Sequence, residues 1–211
     1  MAIRLLLVED DADWVKAMTT FLQYEADLKV VGSAANGDEA IQLAQQVDFD
    51  VILLDIHLKG SDKDGIAIAI ELFTLLEAKP KIIMLTSVED DAAMKRAFTA
   101  GAMQYVSKSQ YQTLPSLIRH TYHHPQAMEV LLQEFARLKR EELLQPLTEA
   151  EREVYELIEE GHTQSQMTKK LFKSESTLKT QVNRILKKLG VRSSKEAVEK
   201  VQRRGLHDKQ E

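Results

Sequence analysis

The chain contains no cysteine. Disulfide frameworks, thiolate metal sites and cysteine nucleophiles are therefore excluded. Long apolar runs are missing too, and no uninterrupted stretch approaches the roughly 18 residues needed to span a bilayer. The opening segment, Met1 to Glu9, has neither a basic start nor a small-residue cleavage site, so it does not read as a secretory signal. A cytoplasmic protein with no membrane partner is the expectation. What is present is ordinary for a globular chain: 211 residues, 44% apolar and 29% charged. That length accommodates one large or two modest domains, each with its own core.

The charge is unevenly spread. Residues 1–124 hold 11 Lys/Arg against 18 Asp/Glu, and residues 146–211 hold 14 against 11. An acidic front and a basic back suggest two jobs. Between Lys169 and Arg192 there are eight Lys/Arg and a single acid, Glu175. Such a stretch attracts polyanions, or is simply a solvated helix face.

The first 124 residues alternate short apolar runs with helical patterns. The expected strands are Ile3–Val8, Leu28–Val31, Phe49–Leu54, Lys81–Leu85 and Met103–Val106. Several are apolar without alternation, as expected where a strand is covered on both faces. Asp11 can cap a helix carrying Trp14, Val15, Met18, Phe21 and Leu22 on one face. Further helical patterns run through Glu39–Gln46, Ile66–Leu76, Asp91–Ala100 and Gln112–Tyr122. Five such repeats imply a parallel sheet with helices on both sides, whose ligands bind at the carboxyl ends of the strands.

Those ends carry chemistry. Glu9 and Asp10 follow the first strand and Asp55 follows the third. Three converging carboxylates repel one another unless a cation sits among them. Oxygen-only donors suit a hard ion, and Mg²⁺ suits a shallow site that keeps some waters. A carboxylate beside such an ion can attack a phosphoryl group. Thr86 ends the fourth strand with a hydroxyl and Lys108 ends the fifth with an ammonium, and each can contact a phosphoryl oxygen. Singly these residues are common caps or surface groups; five at corresponding strand ends make a pattern.

Residues 3–122 strongly resemble the receiver (CheY-like) family. The matching pieces are Leu7-Val8-Glu9-Asp10-Asp11, Leu53-Leu54-Asp55-Ile56-His57-Leu58 with Asp64-Gly65, Ile83-Met84-Leu85-Thr86-Ser87, and Gly101 to Lys108. The resemblance implies a doubly wound, five-stranded flavodoxin-like sheet of order 2-1-3-4-5. It also implies that Asp55 accepts a phosphoryl group from a histidine kinase. Glu9, Asp10, Asp55 and the backbone carbonyl of His57 would hold Mg²⁺. Thr86 and Lys108 would bind the phosphoryl group, and Tyr105 would follow Thr86 as the switch aromatic. The chain departs from the family in a loop lengthened between Asp55 and Gly65, and in Ser109 where proline is usual. The imidazole of His57 reads as access control rather than as a ligand.

Residues 126–144 form one helical segment bracketed by Pro125 and Pro146. Met128, Leu131, Phe135 and Leu138 are spaced 3, 4 and 3, which suits a connector or a short self-association seam. From Leu147 strands stop. Capping boxes at Thr148–Glu151 and Thr163–Gln166 open two helices. Ser174 can cap a third, Glu175 to Leu189, with Gly190 behind it. Ser193-Ser194-Lys195-Glu196 opens a fourth, ending near Gly205. Four short helices with a tight turn between the second and third fit an all-α helix-turn-helix unit.

In the third helix Leu178, Val182, Ile185, Leu186 and Leu189 form an apolar stripe, with Lys179, Thr180, Asn183, Arg184 and Lys187 opposite. One face can serve a core and the other a DNA major groove. Residues 147–198 resemble the LuxR/NarL-type helix-turn-helix family, carried by Leu147-Thr148, Glu151, Gly161, Ser176-Thr177-Leu178-Lys179, Gln181-Val182 and Lys188-Leu189-Gly190-Val191. That family lays the Thr177–Leu189 helix in the groove, with Lys179, Thr180 and Asn183 nearest the bases. Gln181, Ala150 and Ser194 replace common basic residues.

The expected organisation is a receiver over 1–124, a helical linker over 125–145 and a DNA-binding domain over 146–211. The expected function is a phosphorylation-regulated DNA-binding transcription regulator, with double-stranded DNA and a histidine kinase as partners and a phosphorylation-promoted homodimer. An aspartate-nucleophile phosphatase would need a second acid two residues after Asp55, where His57 stands. A regulator acting only through protein contact would lack salt-dependent binding to DNA.

Overall fold

The computed structural model describes residues 2–58, 63–88 and 90–203. Its contacts divide the chain into two compact units, one running to Glu134 and one beginning at Phe135.

In the first unit, strands β1 (Ile3–Val8), β2 (Leu28–Ala34), β3 (Val51–Asp55), β4 (Lys81–Thr86) and β5 (Gln104–Ser107) alternate with helices α1 (Ala12–Gln23), α2 (Gly37–Gln46), α3 (Gly65–Leu75), α4 (Asp91–Thr99) and α5 (Leu114–His123). The sheet is parallel and ordered β2-β1-β3-β4-β5. Both odd and even positions of the central strands are buried: Leu5, Leu6, Leu7, Val8, Ile52, Leu53, Ile83 and Met84 are all fully enclosed. That is why these strands read as continuous apolar runs. One face packs on Met18, Leu22, Leu114 and Ile118 from α1 and α5.

Helix starts are set by capping carboxylates and amides. Asp11 accepts from the amides of Asp13 and Trp14, Asn36 from Glu39, Asp64 from Ala67, and Asp90 from Ala92 and Ala93. β2 runs three residues beyond its expected end, with a register irregularity opposite Leu5 and Leu6. α5 begins at Leu114, with Pro115 in its first turn and a 3-10 segment, Lys108–Thr113, before it. The peptide after Lys108 is trans, as are all peptide bonds among the described residues. The lengthened loop after Asp55 passes through residues 59–62, which lie outside the described residues.

Helix α6 (Gln126–Leu144) follows α5. In the second unit, α7 (Glu149–Glu159), α8 (Gln164–Leu171), α9 (Glu175–Leu189) and α10 (Ser194–Gln202) surround Leu144, Val154, Tyr155, Leu157, Met167, Leu178, Ile185, Leu189, Ala197 and Val201. Both expected capping boxes form, at Thr148/Glu151 and Thr163/Gln166, and Gly190 closes α9 in the left-handed conformation. The expected end near Gly205 lies outside the described residues. No helix among the described residues is long and apolar enough to cross a membrane.

Candidate functional site

The parallel sheet brings the ends of β1, β3, β4 and β5 to one edge. Asp55 is the last residue of β3 and lies opposite Leu85 of β4. Glu9 and Asp10 follow β1, and one carboxylate oxygen from each of Glu9, Asp10 and Asp55 lies within 4.8 Å of the others. Glu9 is 2% exposed and Asp55 3%. At that separation each pair of charges repels by about 3.5 kcal/mol at an effective dielectric near 20.

Lys108 supplies one counter-charge. Its Nζ donates to Asp55 Oδ2 at 2.9 Å and stands 2.5 Å from Glu9 Oε2, without hydrogen-bond geometry to the latter. The ammonium also lies 5.0 Å from the centre of the Trp14 ring, a cation–π distance. Burial pushes the Glu9 carboxyl above its usual range, although the Lys108 ammonium opposes this. Burial works against the Lys108 ammonium, but the Glu9 and Asp55 carboxylates outweigh it and raise its pKa. Among the described residues, one cation beside three carboxylates leaves the cluster net negative.

Two further carboxylate oxygens are also held. Glu9 Oε1 accepts from the Asp11 amide at 3.2 Å, and Asp55 Oδ1 accepts from the His57 amide at 3.1 Å. His57 itself is exposed. Gly65, at the start of α3, presses against the backbone of Asp55: a Cβ built there would lie 2.1 Å from the Asp55 carbonyl oxygen. Its amide donates to Ile56 O at 2.9 Å. Asp64, which caps α3, accepts from Arg96 of α4 at 2.9 Å. Asp64-Gly65 is a motif in the sequence, and the close approach explains why glycine is required there.

Thr86 is fully buried at the end of β4. Its hydroxyl donates to Val88 O at 2.7 Å and accepts from Val88 N at 3.1 Å. The Tyr105 hydroxyl reaches the same Val88 carbonyl at 3.4 Å. Thr86 and Tyr105 therefore meet on the loop after β4, while Glu9, Asp10 and Asp55 converge directly and Lys108 pairs with Glu9 and Asp55. Neither the Trp14 nor the Arg96 contact was found from sequence, since each joins positions far apart in the chain.

On α9, Leu178, Ile185 and Leu189 are buried, whereas Thr177, Lys179, Thr180, Asn183, Arg184 and Lys187 are all exposed. At 100° per residue those six fall on one arc of about 160°, complementary to the buried stripe. Lys179 and Asn183 line a cleft of about 650 Å³ with Gln164 and Ser176, and Thr177, Thr180 and Arg184 line a neighbouring one. The helix is fastened to α7 by Lys188, whose Nζ donates to Glu151 Oε2 at 2.6 Å. Glu151 is 5% exposed and its pKa is lowered by Lys188 and by the Thr148 amide.

Comparison with known proteins agrees with both halves. The response regulator receiver domain family matches residues 5–119, and the luxR family of bacterial regulatory proteins matches residues 145–201. Response regulator protein VraR of Staphylococcus epidermidis is 33% identical over 202 residues, covering 94% of this chain and 95% of the relative. Transcriptional regulatory protein LiaR of Bacillus subtilis is 34% identical over 196 residues, covering 90% and 92%. The solved RcsB response regulator of Salmonella typhimurium aligns over 94% of this chain and 97% of that one, with a TM-score of 0.53 and 22% identity, a likeness of fold. The chain belongs to the response regulators of two-component signalling: a receiver joined to a luxR-type DNA-binding domain, and so a phosphorylation-regulated transcription regulator rather than an enzyme.

Proposed function

We propose that a histidine kinase phosphorylates Asp55 in a Mg²⁺-dependent reaction, and that this change controls how the exposed arc of α9 engages double-stranded DNA. The observation that carries the reading is the convergence of Glu9, Asp10 and Asp55, the first and last of them buried, beside the ammonium of Lys108. The donor set fits the ion. It is all oxygen, and among the described residues its three carboxylates outnumber the one ammonium beside them. Glu9, Asp10, Asp55 and the His57 carbonyl would hold Mg²⁺, which supplies neutralisation of phosphoryl charge.

The chain's own residues do the rest. Asp55 presents a carboxylate oxygen, oriented by the His57 amide and the Gly65 contact. An acyl phosphate there adds negative charge and acceptor oxygens. Lys108, released from one carboxylate, pairs with them. Thr86 exchanges its bonds to Val88 for a phosphoryl oxygen. Tyr105 shares the Val88 carbonyl and repacks with it. The loop after β4 thus reads the state of Asp55.

The domains are taken as 1–124, 125–145 and 146–211. Phosphorylation promotes a homodimer that sets two α9 helices on paired half-sites. The exposed Val130, Leu131 and Leu138 of α6 support an association surface. Lys179, Thr180 and Asn183 read base edges, while Thr177, Arg184 and Lys187 hold phosphates.

The test compares DNA affinity with and without acetyl phosphate in the wild type and in Asp55→Asn. The wild type should tighten by about 5- to 150-fold, the usual range of allosteric coupling, and the variant should not respond. An equal response in both would refute the reading. Lys179→Ala should weaken binding and shallow the salt dependence by about one unit of slope if it touches phosphate, or relax specificity if it reads a base.

A further inference from the structure

Three histidines crowd the end of α5: His120, His123 and the capping residue His124, all exposed. They do not act as one group. His123 is four residues from Arg119, and both face Asp27 at the start of β2. Arg119 donates to Asp27 at 2.6 and 2.8 Å and to Glu25 at 2.5 Å, and with His123 it holds the Asp27 carboxyl down, to about 2. His123 also packs edge-on against Tyr122. Its surroundings are thus an ion-pair cluster already satisfied. His120 and His124 are spaced i and i+4, with ring centroids 5.6 Å apart.

That spacing can be compared with what chelation needs. Imidazole nitrogens bind Zn²⁺ at about 2.0–2.1 Å. Adding the ring radius puts each centroid about 3.2 Å from the ion, so two rings at a tetrahedral angle have centroids about 5.2 Å apart. The observed pair is within about 0.4 Å of that value, whereas His123 and His124 are 6.4 Å apart. The site also sits where a helix favours cations, at the carboxyl end of its dipole. The His124 amide still donates to His120 O at 2.8 Å, so the last turn is closed and both side chains spring from ordered backbone. Arg119, one residue before His120, is neutralised by Glu25 and Asp27.

We propose that His120 and His124 form a two-imidazole site for a borderline divalent transition ion, Zn²⁺, Ni²⁺ or Cu²⁺, with water completing its coordination. Imidazole donors select this class over Mg²⁺, so the site is chemically distinct from the carboxylate cluster at the strand ends. It does not depend on the phosphorylation of Asp55. Binding ties residue 124, the last before Pro125 and α6, to the body of α5, and so stiffens the exit from the receiver.

The experiment uses the full chain, untagged, with Mg²⁺ in large excess to occupy the carboxylate cluster. Cu²⁺ and Ni²⁺ are the probes, in calorimetric titrations and by the nitrogen hyperfine splitting of bound Cu²⁺. The wild type should take up one ion with two nitrogen ligands. His120→Ala and His124→Ala should each weaken uptake at least tenfold, and His123→Ala by less than twofold. All three positions are exposed, so the variants fold. Uptake unchanged in the double variant His120→Ala/His124→Ala, an equal loss in His123→Ala, or no uptake by the wild type would each overturn the proposal.

Discussion

Replacing Gly65 by alanine is the sharpest structural perturbation of Asp55, the proposed phosphoacceptor, that leaves its chemistry intact. The added methyl would sit 2.1 Å from the Asp55 carbonyl oxygen, 2.9 Å from its carbon and 3.0 Å from Ile56 Cα. All three neighbours are main chain at the end of a central, fully buried strand, so relief requires a backbone shift of about 1 Å. Overpacking of that kind costs about 1–3 kcal/mol, and rigid neighbours place it at the upper end. Alanine returns up to about 1 kcal/mol through helix propensity, leaving a net loss of about 2 kcal/mol. For a unit of this size that lowers the melting temperature by roughly 8 °C. Gly32→Ala is the internal control. Its methyl would meet Leu43 Cδ2 at 2.9 Å, the end of a flexible side chain that can swing away, and it should cost under about 1 kcal/mol. Calorimetry and the rate of labelling by acetyl phosphate should both single out Gly65→Ala. If that variant melts with the wild type and is labelled at the same rate, the claim that α3 braces Asp55 is wrong.

Lys108→Met removes the cation that pairs with Glu9 and Asp55. In chelator the receiver should lose about 3 kcal/mol from stranded buried charge, and Mg²⁺ should restore most of it; equal losses in both buffers would contradict the electrostatic account. Asp27 titrates near 2 in the fold against 3.8 when free. Its pairing with Arg119 therefore contributes stability above the free value and loses it as pH falls toward 2. Asp27→Asn should flatten the acid limb of a stability profile taken between about pH 5 and about pH 2 at low salt. Glu151→Ala deletes a capping-box acceptor and the buried partner of Lys188 together, so the second unit should lose about 2 kcal/mol, measured in denaturant titration, with DNA affinity falling as α9 loosens.

The sheet was legible because buried parallel strands announce themselves as apolar runs, and because Asp11, Thr148, Thr163 and Ser174 cap where capping chemistry predicts. The misses have local causes. β2 continues through Gly32 and Ser33, which carry no strand signal but pair with β1 regardless. The helical pattern from Gln112 starts ahead of α5 because the 3-10 segment from Lys108 mimics it, although Pro115 in the first turn marks the true start. At the candidate site, residue types and strand ends pointed to Glu9, Asp10, Asp55, Thr86 and Lys108, of which Glu9, Asp10 and Asp55 converge and Lys108 pairs with Glu9 and Asp55. No one-dimensional pattern could pair Lys108 with Trp14, Arg96 with Asp64 or Glu151 with Lys188, because folding alone makes those neighbours. Nor could it reveal that the Thr86 hydroxyl rests on Val88.

The most direct test is to incubate the protein with acetyl phosphate, with Mg²⁺ or with chelator, and locate the label by mass spectrometry of peptides. A single phosphoryl group on Asp55, formed only with Mg²⁺ and lost in Asp10→Asn as well as in Asp55→Asn, is the predicted result. Labelling at another residue, or equal labelling of Asp55 in chelator, would contradict it.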